Sequence, residues 1–157
     1  MILYRPVEGA LVEILLAVNG TLMRGLELNG NLLAAGARFV REARTEPCYR
    51  LWSIGDRHPA MIRTTRGGAS VTVEVWSVPA PGLAAILLRE PLGLTIGKVR
   101  LEDGEEILGV VGEPALCEGQ REITRYGGWR AYIASDAARS KSVRRRTAAS
   151  RSRRRPN

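Results

Sequence analysis

One strand and the turn that closes it constrain this chain more than any other feature. Residues Glu13 to Val18 read E-I-L-L-A-V, a short apolar run, and Asn19-Gly20 ends it with a turn-forming pair. So little polar relief over this length predicts a fully buried strand. A glycine at its end leaves backbone N–H groups uncovered, because Gly20 has no side chain to block approach and is free to take positive φ. Such a corner is able to hold a carboxylate or a carbonyl oxygen, with Asn19, Gly20, Thr21 and Leu22 as the contacts. The other reading of the same residues is a plain turn, with Thr21 capping the segment after it.

The remaining segments alternate between short strands and short helices. Leu28 to Gly36 suits a helix ended by Gly36, and Arg38 to Thr45 mixes three arginines with Phe39, Val40 and Ala43 before Pro47 stops it. Cys48 to Ile54 reads as a strand turned by Gly55-Asp56, and His58 to Arg63 as a further extended segment. Ser70 to Val78 alternates, with Val71, Val73 and Val75 on one face and Thr72, Glu74 and Trp76 on the other; Glu74, opposite the valine face, reads as a solvent-facing strand glutamate, with pointing into the barrel as the alternative. Pro79-Ala80-Pro81-Gly82 opens a helix over Leu83 to Leu88 that has to end by Glu90, since Pro91 disfavours helical geometry in the residue before it. Ile96 to Leu101 and Glu106 to Val111 flank Glu102-Asp103-Gly104-Glu105 as a hairpin, and Gly119 and Gly127-Gly128 break the rest into short helices, the last from Trp129 to Ser135. This order predicts an α+β fold, a small mixed, largely antiparallel β-barrel carrying short helices.

Charge divides the chain. From Asp136 onward there are nine basic residues and one acidic, which accounts for the net charge of +8; Met1 to Ser135 holds 15 of each sign. The domain is therefore expected over 13–135, behind a short arm over 1–12 and ahead of a basic tail over 136–157. That tail has too few apolar residues to offset the entropy of ordering, so disorder is expected, and nucleic-acid contact by it is expected to lack specificity. The longest uncharged stretch, Val75 to Leu88, is interrupted by Pro-Ala-Pro-Gly and too short to cross a bilayer. Cys48 and Cys117 show neither metal-ligand spacing nor a preceding secretory signal, which predicts buried thiols in a cytoplasmic setting, with no metal and no cofactor.

Several of these residues resemble known motifs. Val18-Asn19-Gly20-Thr21-Leu22-Met23-Arg24-Gly25 resembles the Y-G-S/T-L-x-x-G signature of γ-glutamylcyclotransferase-like proteins. The longer pattern adds Leu28-Asn29, Gly36 to Arg41, Glu74-Val75-Trp76, Leu101 to Gly104 and Gly127 to Tyr132, and resembles the C-terminal domain of allophanate hydrolase from about Ile14 to Ser135. The resemblance implies the γ-glutamylcyclotransferase-like fold, with a pocket at the glycine corner. It does not bring the amidase machinery, a Ser-Ser-Lys triad in a separate N-terminal domain, so a separately encoded amidase is the partner it implies. In the full enzyme a histidine within V-G-A-H-L-S-G-M-P-L-N is associated with decarboxylation of the first product; laid ungapped on this chain, that place falls to Leu22, which has no proton to give. Cyclotransferases carry a glutamate after the short helix that succeeds the E-V-W-like strand, and Glu90 stands there. Leu87, Leu88, Leu92 and Leu94 around it would raise its pKa, and one carboxyl group is enough to act as base and then as acid while corner amides stabilise an oxyanion.

Three functions are expected from these residues. The first is binding of a small carboxylate- or amide-bearing metabolite at the corner, accessory to urea- or amide-derived nitrogen metabolism. The second is a cyclotransferase that forms 5-oxoproline with Glu90 as acid/base, and the third is an assembly module for a partner amidase. Against a role for Glu90 stands a solvated Arg89-Glu90 pair. The lone His58, beside Pro59, reads as a surface histidine; Trp52, Trp76 and Trp129 read as core or pocket walls; Glu102-Asp103 and Glu105-Glu106 read as a solvated turn. Glu122, Arg125 and Arg130 read as surface pairs with the option of an anionic ligand.

Overall fold

The computed structural model describes residues 11–136 together with 139 and 140. The arm expected over 1–12 and the tail expected over 136–157 thus lie outside the described residues, apart from their few members named in that range.

In chain order the elements are β1 (Glu13–Val18), α1 (Asn29–Ala34), β2 (Arg38–Arg44), β3 (Tyr49–Ile54), β4 (His58–Arg63), β5 (Thr72–Pro79), α2 (Ala80–Arg89), β6 (Leu94–Arg100), β7 (Glu106–Gly112), α3 (Pro114–Cys117) and β8 (Arg121–Glu122). A 3-10 turn over Thr124–Tyr126 and a helix over residues 129–136, α4, complete the fold. β1 is the middle strand of a five-stranded sheet ordered β2-β5-β1-β7-β6, and a three-stranded sheet is ordered β4-β3-β8. The strand expected to be fully buried is so only in its second half: β1 pairs antiparallel with β5 along its length but parallel with β7 only at Leu16 and Ala17, so Leu16, Ala17 and Val18 are fully buried while Glu13 and Leu15 are exposed and Ile14 is half-buried. Gly109, beside Ala17 in the parallel pair, permits close packing there, since a Cβ on it would stand 2.5 Å from a Val99 methyl and 3.3 Å from Ala17 Cβ.

The α+β class is as expected, but the barrel is not closed. The edge strands β2 and β6 are joined only just past their ends, where Thr45 and Leu101 form an isolated antiparallel bridge. Beyond that bridge the chain leaves through Pro47 into β3, so no ladder develops and the sheet stays curled and open. Of the two readings of Glu74, the solvent-facing one fails and the inward one holds: it is 1% exposed. The alternation in β5 presupposes a solvent face, whereas β5 lies between β2 and β1 and both of its faces are covered, with Val73, Val75 and Trp76 buried alongside. β5 also begins at Thr72 rather than Ser70, and α2 starts at Ala80, with Pro81 in the first turn where its missing N–H breaks no helical bond. Gly36 sits past the end of α1 with φ of 78°, the left-handed conformation that a helix stop asks for. Both cysteines are free; Cys117 is buried, but Cys48 is half-exposed.

Candidate functional site

The corner after β1 is fixed from three sides. Asn19 is buried and its Nδ2 donates to the Val110 carbonyl of β7 at 2.8 Å. Gly20 lies directly against Pro59 at the start of β4: a Cβ there would come within 2.5 Å of Pro59 Cδ. Close approach, not a left-handed φ, is therefore what demands glycine, since Gly20 is not among the positive-φ glycines. The loop's carbonyls are taken: Gly20 accepts from the Met23 amide, Thr21 from the Leu28 amide, and Leu22 from Asn29 Nδ2. Thr21 thus receives through its backbone rather than capping a helix with its hydroxyl, and α1 has no side-chain cap. Among the described residues, the amides of Gly20, Thr21 and Leu22 make no hydrogen bond.

These residues open onto a small hollow. Asn19, Gly20, Thr21 and Leu22 form one part of its lining, Glu90 and His58 another, and Val18, Pro59, Leu94 and Val110 the apolar remainder. Its cavity volume is about 20 Å³. Glu90 comes directly after α2 with extended backbone, its amide donating to the Leu87 carbonyl at 3.2 Å. Its Oε1 is buried with no hydrogen-bond partner among the described residues, and burial pushes its carboxyl above the ordinary carboxylate range. The structure thus brings Glu90 and the four corner residues to one hollow. Leu22, 4% exposed, supplies apolar wall there. His58 departs from the surface position expected of it: it is half-buried and shares the lining. No local signal marks it, because its place is set by Pro59 seating on Gly20, a contact between distant segments.

A second polar cluster supports the corner from behind. The Glu74 carboxylate accepts from the Arg24 amide (2.9 Å) and the Trp76 indole (3.1 Å) on Oε2, and from Arg24 Nε and an Arg130 guanidinium nitrogen (both 3.1 Å) on Oε1. Burial pushes this carboxyl up, but the Arg24 amide, the indole and the two guanidinium groups together hold it below the ordinary range. Arg130 is thus committed to Glu74. Glu122 pairs with Arg50, and Arg125 lies 5.0 Å from the Tyr126 ring, so the three do not converge on an anion site. A wider groove of about 390 Å³ runs past Thr72 and residues 126–131, yet its arginines are already bonded, Arg44 to Thr72 and Ser70 and Arg130 to Glu74. Among the described residues no buried polar side-chain atom without a partner faces it, so the smaller hollow is the candidate site. Trp76 and Trp129 are core residues, and Asp103 and Glu105 of the hairpin tip bind Arg41. Among the described residues no group of three His, Cys, Asp or Glu could hold a metal ion, and no helix is long and apolar enough to cross a membrane.

A mixed sheet whose central strand breaks at a glycine corner is a fold shared beyond close relatives. At the level of the fold alone it is found in an aig2-like protein from Mus musculus, 22% identical with a TM-score of 0.51 over 66% of this chain and 78% of that one. The model of the allophanate hydrolase C-terminal domain matches residues 14–134, and the chain belongs to that family. The crystal structure of c4763, a uropathogenic E. coli-specific protein, is 60% identical with a TM-score of 0.77, covering 78% of this chain and 97% of that one. Kluyveromyces lactis allophanate hydrolase is 30% identical with a TM-score of 0.75, over 83% of this chain and 22% of that one. Urea amidolyase of Saccharomyces cerevisiae is 33% identical over 128 residues, which is 77% of this chain but only 7% of that protein.

Proposed function

We propose that this domain binds a small carboxylate- or amide-bearing metabolite between the Asn19–Leu22 corner and Glu90, in a step accessory to amide- or urea-derived nitrogen metabolism whose hydrolysis falls to a separately encoded amidase. One observation carries the reading: a buried, unpartnered Glu90 Oε1 lines the same hollow as backbone amides with no hydrogen bond among the described residues. Buried polar groups left without partners are costly, and a ligand carbonyl taking the amides while its N–H meets the carboxyl would satisfy both. Relatives named allophanate hydrolase and urea amidolyase support the nitrogen setting. The free space of about 20 Å³ is that of about one water molecule. A carbamoyl or ureido group therefore requires less opening than a γ-glutamyl chain. Thermal-shift measurements with ureido acids, carbamates and γ-glutamyl compounds test this; stabilisation by the first two and its loss in Glu90→Gln is the expected result, and no stabilisation by any of them would refute it.

The raised pKa of Glu90 favours a second reading, a cyclotransferase in which this carboxyl takes the ammonium proton and returns one to the leaving amine. NMR detection of 5-oxoproline from γ-glutamyl amines, lost in Glu90→Gln, checks it; absent turnover, or turnover untouched by the substitution, removes it. Docking of the amidase beside the hollow is a third proposal, supported by Leu88 and Leu92, 87% and 94% exposed on either side of Glu90. Removing α4 is not a fair test of docking, because Trp129 and Tyr132 are buried in the core. Leu88→Ser with Leu92→Ser leaves the core intact, and co-purification with an amidase identified by mass spectrometry is expected to disappear in that variant.

A further inference from the structure

His58 is the chain's only histidine, and three separate features hold it at the hollow. The turn before it is left-handed: Gly55 and Asp56 both have φ of 56°, a conformation that glycine takes freely and aspartate more readily than most side chains. The Asp56 carboxylate is tied down by the buried Ser53 hydroxyl (2.7 Å) and the buried Tyr132 hydroxyl (2.6 Å), both donating to Oδ1. The residue after His58, Pro59, is buried with its ring against Gly20, which locks the start of β4 onto the corner. The imidazole itself is set by Nδ1, which lies 3.1 Å from the Pro59 carbonyl. A carbonyl only accepts, so Nδ1 carries the hydrogen and the neutral ring presents Nε2 as an acceptor. A turn anchored from β3 and α4, a proline wedge and a fixed tautomer are more than a surface histidine needs.

We propose that His58 is a ligand-binding residue of this hollow whose Nε2 accepts an N–H from the bound molecule, so that the site takes an amide, carbamoyl or ureido group in preference to a bare carboxylate. The inference rests on placing a ligand in the hollow and goes on to name its class. With Glu90 already there, a second carboxyl group would have to share a proton with it or repel it, whereas an amide offers its N–H to Nε2 and Glu90 and its carbonyl to the corner amides.

Acetamide and acetate are close in size and shape and separate the two classes. The lone imidazole gives unambiguous ring signals in a proton–carbon correlation spectrum of the full chain. Acetamide is expected to shift the His58 ring and the Gly20–Leu22 amides saturably and to bind more tightly than acetate. His58→Ala should weaken acetamide by about tenfold, the loss of about one hydrogen bond to a buried group, and His58→Gln should recover most of it by keeping an acceptor. Shifts at the corner amides without any at the ring, equal affinity in His58→Ala, or tighter binding of acetate would overturn the role of His58 while leaving the hollow as a ligand site. Silence at both ring and corner would overturn the two readings together.

Discussion

Replacing Glu74 tests the support behind the corner, and two substitutions of different depth are expected to give different costs. Its four donors are unlike one another. The Arg24 amide and the Trp76 indole reach Oε2 from the interior, while the guanidinium groups of Arg24 and Arg130, 48% and 44% exposed, reach Oε1 from the wet side. In Glu74→Gln the amide oxygen keeps the two interior donors and the new NH₂ displaces the arginines, which swing into water. Losing partly exposed, charge-assisted bonds of that kind costs about 1–2 kcal/mol. In Glu74→Ala all four donors lose their acceptor and two are stranded in the interior, which raises the cost to about 3–5 kcal/mol. Urea unfolding followed by tryptophan fluorescence measures both, with the slope against denaturant checked for constancy. The carboxyl's pKa is lowered on folding, so its contribution is present above the ordinary carboxylate range and fades as pH falls through the folded-state value. The gap between wild type and Glu74→Ala should therefore narrow in acid. Equal costs for the two variants, or a Glu74→Ala cost below about 1 kcal/mol, would refute the division into interior and wet donors.

Gly20→Ala places a Cβ 2.5 Å from Pro59 Cδ, and such overpacking should cost about 1–3 kcal/mol in unfolding free energy. A smaller loss would show that β4 slides away freely. Glu90→Gln should raise the melting temperature at pH 8 and leave it nearly unchanged at pH 4: burial raises this carboxyl's pKa, so the native state is favoured while Glu90 is protonated and penalised once pH passes the folded-state value. Calorimetric melts at the two pH values decide the sign. Cys117, whose thiol burial pushes up to about 11, should resist iodoacetamide at pH 8 until the chain is unfolded, as read by mass spectrometry of the labelled peptide.

What the sequence makes legible is local. The run at Glu13 to Val18 announces a strand and Asn19-Gly20 its end, because apolar patterning and turn chemistry act on neighbours in the chain, but not that only its second half is buried. Pro91 likewise fixes where α2 stops, whereas Glu90 is marked only by the family resemblance. Facts that depend on what lies across the fold are hidden. Alternation in β5 cannot reveal that both faces are covered, and it therefore cannot choose between the two readings of Glu74. The single bridge from Thr45 to Leu101 cannot be told from a full ladder. The turn at His58 looks exposed, although the residue's place is set by a proline ring pressed against a glycine in another segment.

The pairing of β1 also dictates when the molecule can finish folding. Its antiparallel neighbour ends at Pro79 and its parallel neighbour at Gly112. As the chain leaves the ribosome, the most apolar early segment emerges with neither edge matched. Such distant pairing slows assembly and exposes a sticky template in the meantime. The glycine corner, which hangs from that strand's end and from Val110, becomes rigid only after the chain has been made through β7.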